Sequence, residues 1–496
     1  MNTFKLTVHR GEESFTLCAD GEKSILESLG TAHSPDSPCG GRGVCGKCGV
    51  ELKGLLRSFE DGEIVAAEGR VLACRYAPAG DCEIWLEGKI EAEIETAECA
   101  KIIGGGEGLG LAIDVGTTTV AAALYDLKSG ECLAEKSEFN AQRIFGADVI
   151  SRMEHCRKGR FSELCGLTQN QLAALAENPD EIKKVTVAGN TVMLHLAAGL
   201  DPSGLAVPPF TPQSLFGNTA KSPLWKNAEL YYSRCVSSYV GGDVTAGMLY
   251  CGMQNAEGTQ LYVDIGTNGE IAMGNKDGYV TCATAAGPAF EGAEIECGMN
   301  ACEGAVDSVR AENGDIVAHV MGGGEAKGIC GSGLIDAVAV LLELGLISKS
   351  GRLLDKAKAP ENLQSRFTEI EGVRAFVIRD GVYVTLHDIH KIQLAKAAIR
   401  AGIETLTGEA EITRLTVAGG FGKHINVKNA IRIGLLPDLT EEKICQAGNA
   451  AAKGAALLLN DGEREKLRTL AEKCSYIDLS TAKEFSEKYI KNLNFQ

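Results

Sequence analysis

The sequence predicts two folds in one chain: a small α+β domain at the N-terminus, then a larger α/β domain that is internally duplicated. Three observations lead there. A strand-like hairpin and a short helix precede four closely spaced cysteines, Cys39, Cys45, Cys48 and Cys74. Two apolar strand–turn–strand segments both carry Asp-x-Gly-Thr, at Asp114 and Asp264. A glycine-rich break separates the cysteines from the first of these segments.

Length and composition agree with this. At 496 residues the chain exceeds one ordinary core. Hydrophobic content of 45% with 23% charged residues is that of a soluble globular protein. A net charge of −17 argues against nucleic-acid binding, which rewards clustered Lys and Arg. No apolar run approaches the roughly 18–20 residues of a membrane span. The N-terminal MNTFKLTVHRGEESF lacks the apolar core of a signal peptide, so a cytoplasmic protein is expected. Without a secretion signal, eighteen cysteines do not read as a disulfide framework. Those outside the four-cysteine group, such as Cys132, Cys165 and Cys251, read as plain buried thiols.

Residues 3–9, TFKLTVH, alternate apolar and polar, and SFTLCAD repeats the pattern after a turn at Arg10-Gly11-Glu12. Ser24 is placed to cap a helix beginning ILESLG. The cysteines then follow as C-x5-C-x2-C, with Cys74 26 positions beyond Cys48. An iron–sulfur cluster needs four thiolates converging on a small volume and N–H donors around its sulfides. Gly40, Gly41, Gly43 and Gly46 let the backbone curl so that its amides point inward. Structural zinc is the rival, but it usually shows two close C-x2-C pairs, and one exists here. The plant-type pattern has four residues between its first two ligands where this loop has five; the loop resembles the five-spaced, adrenodoxin-like branch of [2Fe–2S] ferredoxins. A ferredoxin-like (β-grasp) domain over residues 1–88 is therefore expected. Residues 89–108, ending in Gly104-Gly105-Gly106, read as a flexible linker.

The large domain is expected in two halves, 109–255 and 256–496. In the first, an apolar strand runs into Asp114-Val-Gly116-Thr117-Thr118; in the second, into Asp264-Ile-Gly266-Thr267-Asn268. Glycine lets a hairpin backbone approach phosphate oxygens, and threonine hydroxyls and amides donate to them. An Asp at each strand end can hold Mg²⁺, which prefers a few carboxylates and keeps its waters. There is no G-x-x-x-x-G-K-[ST], so this is not a P-loop. Two such hairpins facing one cleft predict a nucleoside triphosphate site. Gly419, Gly420 and Gly422, after the strand RLTVA, suit a turn lying against adenosine. Asp243, in Gly-Gly-Asp before an alanine- and glycine-rich helix, reads as a helix N-cap more readily than as a magnesium or water-positioning group. Residues 388–403 have helical apolar spacing and read as a core-facing helix, not a metal site, despite His387 and His390. Gly328-Ile-Cys-Gly-Ser332-Gly reads as a helix start, or as a loop bordering the nucleotide through Ser332.

The order of these motifs resembles the actin-like ATPase superfamily of sugar kinases and heat-shock chaperones, over residues 109 to about 460. With the ferredoxin-like domain in front, nearly the whole chain resembles the reductive activators of corrinoid proteins. The resemblance rests on Phe145-Gly-Ala-Asp148-Val-Ile-Ser-Arg152, Ala188-Gly-Asn190-Thr191-Val-Met-Leu-His195 and Val263-Asp264-Ile-Gly-Thr-Asn-Gly-Glu270. It continues through Thr284-Ala-Ala-Gly-Pro-Ala-Phe-Glu291-Gly, the Ser332 loop, and Ala418-Gly-Gly-Phe-Gly to Pro437.

The resemblance implies that the protein returns an inactive Co(II) corrinoid (cobalamin-binding) protein of a methyltransferase system to Co(I). A low-potential donor would supply the electrons, and ATP with Mg²⁺ the coupling. Plant-type clusters sit near about −400 mV, so the last step is expected to be uphill. A homodimer through the ATPase domain is also implied, although no stretch marks an interface. The rivals are an ATP-driven donor to a non-corrinoid acceptor and a nucleotide-dependent redox-sensing module.

Overall fold

The computed structural model describes residues 2–496 apart from 12, 36, 38, 44, 45, 87–98, 177, 293 and 421–423. They form two compact units. The first comprises the described residues of Met1–Glu91 together with Phe139–Ala174 and Leu196–Phe210. The second comprises those of Ala92–Glu138, Leu175–His195 and Thr211–Gln496. Two segments of the expected first ATPase half thus cluster with the N-terminal domain.

In the first unit the alternating stretches form a five-stranded sheet. Thr3–Arg10 pairs antiparallel with Glu13–Asp20 and parallel with Tyr76–Leu86; Gly49–Ser58 and Ile64–Leu72 complete it. Leu6, Val8, Leu52 and Ile84 point into a core that also takes up Ile25, Leu26 and Leu29 of the helix Ile25–His33. Ser24 caps that helix through a capping box: Glu27 N–H donates to Ser24 Oγ (3.1 Å) and Ser24 N–H to Glu27 Oε2 (3.0 Å).

The second unit holds two six-stranded sheets with the same plan. In each, an antiparallel hairpin carries the Asp-x-Gly-Thr turn. Leu109–Val115 pairs with Thr119–Asp126 in one, and Gln260–Ile265 with Gly269–Asn275 in the other. The first strand of each hairpin also pairs in parallel with a later strand, Ile182–Gly189 or Arg414–Ala418. Both first strands are almost wholly buried, as parallel strands covered on two faces must be. The expected helix spans Leu386–Thr407 and buries Ile389, Ile392, Ala395, Ile399 and Ile403.

The linker reading needs correction. Residues 89–98 lie outside the described residues, but the following stretch packs down. Ala100 and Ile102 are buried, Tyr125 Oη donates to the Ala100 carbonyl (3.0 Å), and the Gly105 and Gly106 amides both donate to the Leu127 carbonyl. The apolar Ile102 outweighs the glycines around it. Cys132 is also not a plain thiol: it is bonded to Cys99, which this packing brings onto the start of the strand Cys132–Phe139. Cys165 and Cys251 are half-buried rather than buried. Among the described residues, no helix is long and apolar enough to cross a membrane.

Candidate functional site

The second unit gathers carboxylates where the strands end. Asp114 closes one central strand and Asp264 the other. Cross-strand register sets Glu270 opposite Asp264. Asp243 lies in the first turn of the helix Gly242–Tyr250, whose N-cap is Gly241, so Asp243 is not the cap. Burial raises all four groups, and repulsion between them adds to the rise at Asp114, Asp243 and Glu270. Burial lifts Asp114 to about 7, with Asp264 adding to the rise and Asn449 opposing it. It lifts Asp243 to about 7, with Asp264 and Asp114 adding. Asp264 rises to about 6, through burial opposed by the Tyr262 hydroxyl. Glu270 is driven up by burial and by Asp243 and Asp264. Among the described residues, no lysine or arginine is among the groups that shift them. Asp114 is buried and the other three are half-buried, and like charges gathered in this way suit a divalent cation.

Asp114 and Asp264 each accept a side-chain hydrogen bond. Asn449 Nδ2 donates to Asp114 Oδ2 (3.0 Å), while its own Oδ1 caps the helix Ala450–Leu457. Tyr262 Oη donates to Asp264 Oδ2 (3.1 Å). Gly419, with φ +94°, passes so close that a Cβ there would lie 2.5 Å from the Ile265 carbonyl oxygen and 2.8 Å from Asp264 Oδ1. Among the described residues, a Cβ on Gly420 would meet nothing within 4 Å; Gly422 lies outside the described residues.

The turns meet around one side chain. Thr118 Oγ1 donates to Glu291 Oε2 (2.8 Å) and Thr267 Oγ1 to Glu291 Oε1 (2.9 Å), so one carboxylate joins the two hairpins. Asn190 Nδ2 donates to Thr117 Oγ1 (3.1 Å). A Cβ on Gly116 would meet the Thr119 carbonyl at 2.7 Å, and the Gly266 amide donates to the Asn268 carbonyl, so both turns are tight. Asn268 also hydrogen-bonds Glu270. Ser332 stands apart: it donates to the Asp307 carbonyl (2.9 Å) at the start of the helix Gly331–Glu343, and among the described residues no contact ties it to the carboxylates.

Glu270, Glu291, Asn190 and Asn449 were not among the site residues expected from sequence. The signal for Glu270 was its distance from Asp264 across a tight hairpin. Asn190 directly follows a strand that pairs with the Asp114 strand. Glu291 has no such local signal.

In the first unit Cys39, Cys48 and Cys74 are all buried. Cys48 Sγ and Cys74 Sγ share a hydrogen bond across 3.2 Å; with Cys74 as the donor it pulls Cys48 down to about 6 and pushes Cys74 up. Cys39 acts electrostatically on both, so three thiols converge. Cys45 lies outside the described residues. Gly40, Gly41, Gly43 and Gly46 all take positive φ, between 62° and 80°, which curls the loop as a metal cluster needs. Arg75 Nη2 and Arg42 Nε brace it by donating to the Gly43 and Cys39 carbonyls.

Comparison with known proteins adds to this geometry. Residues 109–256 match the family described as the RACo middle region, and residues 258–496 match the C-terminal domain of RACo, the ASKHA domain. The chain is 34% identical over 418 residues to the corrinoid activation enzyme RamQ of Eubacterium limosum, covering 78% of this chain and 70% of that protein. It is 24% identical over 434 residues to the [Co(II) methylated amine-specific corrinoid protein] reductase of Methanosarcina barkeri, covering 78% and 77%. Among solved structures it is similar to a reductive activator for corrinoid, iron–sulfur protein. That match has a TM-score of 0.69 and 30% identity, over 99% of this chain and 98% of the other.

Proposed function

The chain belongs to the RACo family, and from that premise we propose that it is an ATP-dependent reductive activator. It restores a corrinoid protein from the inactive Co(II) state to Co(I). The observation that carries this reading is the joining of two threonine hairpins beside a carboxylate cluster in the chain that also converges cysteine thiols in its first unit.

The roles divide between the units. In the second, an ASKHA ATPase, Asp114 and Asp264 would hold Mg²⁺, with Asp243 and Glu270 beside them. Gly116, Thr117, Thr118, Gly266, Thr267 and Asn268 would receive the phosphates of ATP. Gly419 and Gly420 would lie against the adenosine. Ser332 serves the start of its own helix. In the first unit, a ferredoxin-like β-grasp domain, Cys39, Cys45, Cys48 and Cys74 would ligate a [2Fe–2S] cluster, which when bound supplies a one-electron carrier. The partners are a corrinoid protein and a low-potential electron donor. Coupling requires that nucleotide and the cobalt state each favour one docked arrangement by differential affinity.

The test follows the cobalt spectrum of a Co(II) corrinoid protein mixed anaerobically with this protein and a reductant, with and without Mg-ATP. Co(I) is expected only with ATP, and is lost in Cys74→Ala and in Asp264→Ala. Loss in neither variant would overturn the site assignment. Failure of the wild type, with both cofactors bound, would overturn the function.

A further inference from the structure

The Phe145–Arg152 motif plays no part in the nucleotide or thiol sites, yet the structure gives it an occupant within the first unit. Gly40, next to Cys39, lies backbone to backbone against it. A Cβ on Gly40 would lie 2.7 Å from the Phe145 carbonyl oxygen and 3.2 Å from Gly146 Cα. Two glycines meet where no side chain fits.

The motif is built to hold that position. Asp148 caps the helix Val149–His155 by accepting from the Ser151 amide (2.8 Å) and hydroxyl (2.7 Å). Arg152, wholly buried, donates from Nε and Nη2 to the Gly146 carbonyl (3.2 and 3.1 Å). The backbone that meets Gly40 is therefore fixed in advance. Around it, His155 Nε2 lies 3.4 Å from the Gly40 carbonyl oxygen. Arg160 reaches from the next turn to Glu27 Oε1 (2.5 Å) while its guanidinium covers the Phe145 ring at 4.5 Å. Glu27 belongs to the capping box of the helix that precedes the cysteine loop.

We propose that residues 145–160 form an intramolecular docking surface whose partner is the cysteine loop of this chain's own N-terminal domain. The surface covers Gly40, so this face of the loop meets an external acceptor only after release. The contact itself is independent of what the thiols hold; its bearing on electron delivery rests on the iron–sulfur reading above.

The test uses the full-length holoprotein. Hydrogen exchange is followed in segments 37–43 and 145–155 for the wild type, Arg160→Glu and Glu27→Gln; the last keeps a capping-box side chain and removes only the charge. Both segments are expected to exchange about fivefold faster in Arg160→Glu, with a smaller change of the same sign in Glu27→Gln, and basal ATPase unchanged. Acceleration in 145–155 alone, or in neither segment, overturns the docking surface. In parallel, the dithionite-reduced protein is mixed with ferricyanide, which takes one electron and becomes ferrocyanide. A severalfold faster loss of the reduced spectrum in Arg160→Glu supports shielding, and an unchanged or slower loss overturns it. A protein with no iron–sulfur absorbance would fail the cluster reading while the exchange data still judged the contact.

Discussion

Asp114→Asn should stabilise the magnesium-free protein and abolish its response to nucleotide. The wild-type carboxyl is buried and raised from 3.8 to about 7. A group raised in the folded state favours folding least when it must ionise. Its penalty is absent below the unfolded pKa, grows as pH rises from about 4, and is complete above the folded value. A shift of this size corresponds to about 4 kcal/mol at pH 8 and about 2 kcal/mol at pH 5. Asparagine keeps the shape and still accepts from Asn449 Nδ2, but never ionises. The assay is guanidinium unfolding with a chelator present at pH 5 and 8, following the transition that Mg-ATP shifts. The variant should gain more at pH 8 than at pH 5, by about 2 kcal/mol, and Mg-ATP should no longer raise its midpoint. An equal change at both pH values, or a loss at pH 8, would refute the claim that the cluster is held against its own charge.

In the proposed magnesium site several carboxyls would lose protons on binding, so Mg-ATP affinity should rise between pH 6 and 8, with proton release seen by calorimetry in buffers of different ionisation enthalpy. An affinity independent of pH would remove Asp114, Asp243 and Asp264 from the binding step. Glu291→Ala leaves Thr118 and Thr267 without their shared acceptor. Hydrogen bonds to a charged group are worth about 1.5–3 kcal/mol, so kcat/KM for ATP should fall about ten- to hundredfold. An unchanged value would mean that the bridge has no part in turnover. Gly419→Ala adds a Cβ against Asp264 and the Ile265 carbonyl at positive φ, and should cost about 1–3 kcal/mol of stability together with nucleotide affinity. Wild-type stability in that variant would show that the backbone relaxes without consequence.

What could be read in the sequence depended on how local each signal was. The Ser24 cap, the Leu386–Thr407 helix and the two Asp-x-Gly-Thr hairpins each lie within one stretch of chain, and each forms as expected. Asp114 and Asp264 were legible because strand and turn chemistry sit beside them. Glu291 was not, since its two partners come from turns 173 and 24 residues away. The Cys99–Cys132 bond was missed because residue type and compartment say nothing of which strands a tether packs onto. Asp243 was misjudged as a cap because the residue two positions earlier, a glycine, holds that place.

The contact between Gly40 and Phe145 also bears on biosynthesis. A ribosome delivers the N-terminal sheet first, and its strands can pair as soon as Leu86 is free. The residues that complete its unit arrive later, at 139–174 and 196–210, interleaved with strands belonging to the second unit. The nascent domain therefore presents the Glu27 and Gly40 face to solvent until about seventy further residues have emerged. A recombinant fragment cut at Leu86 would keep that face bare permanently. Its solubility should be judged as that of an unfinished unit, and a cut after Phe210 instead gives the shortest stretch that contains all of it.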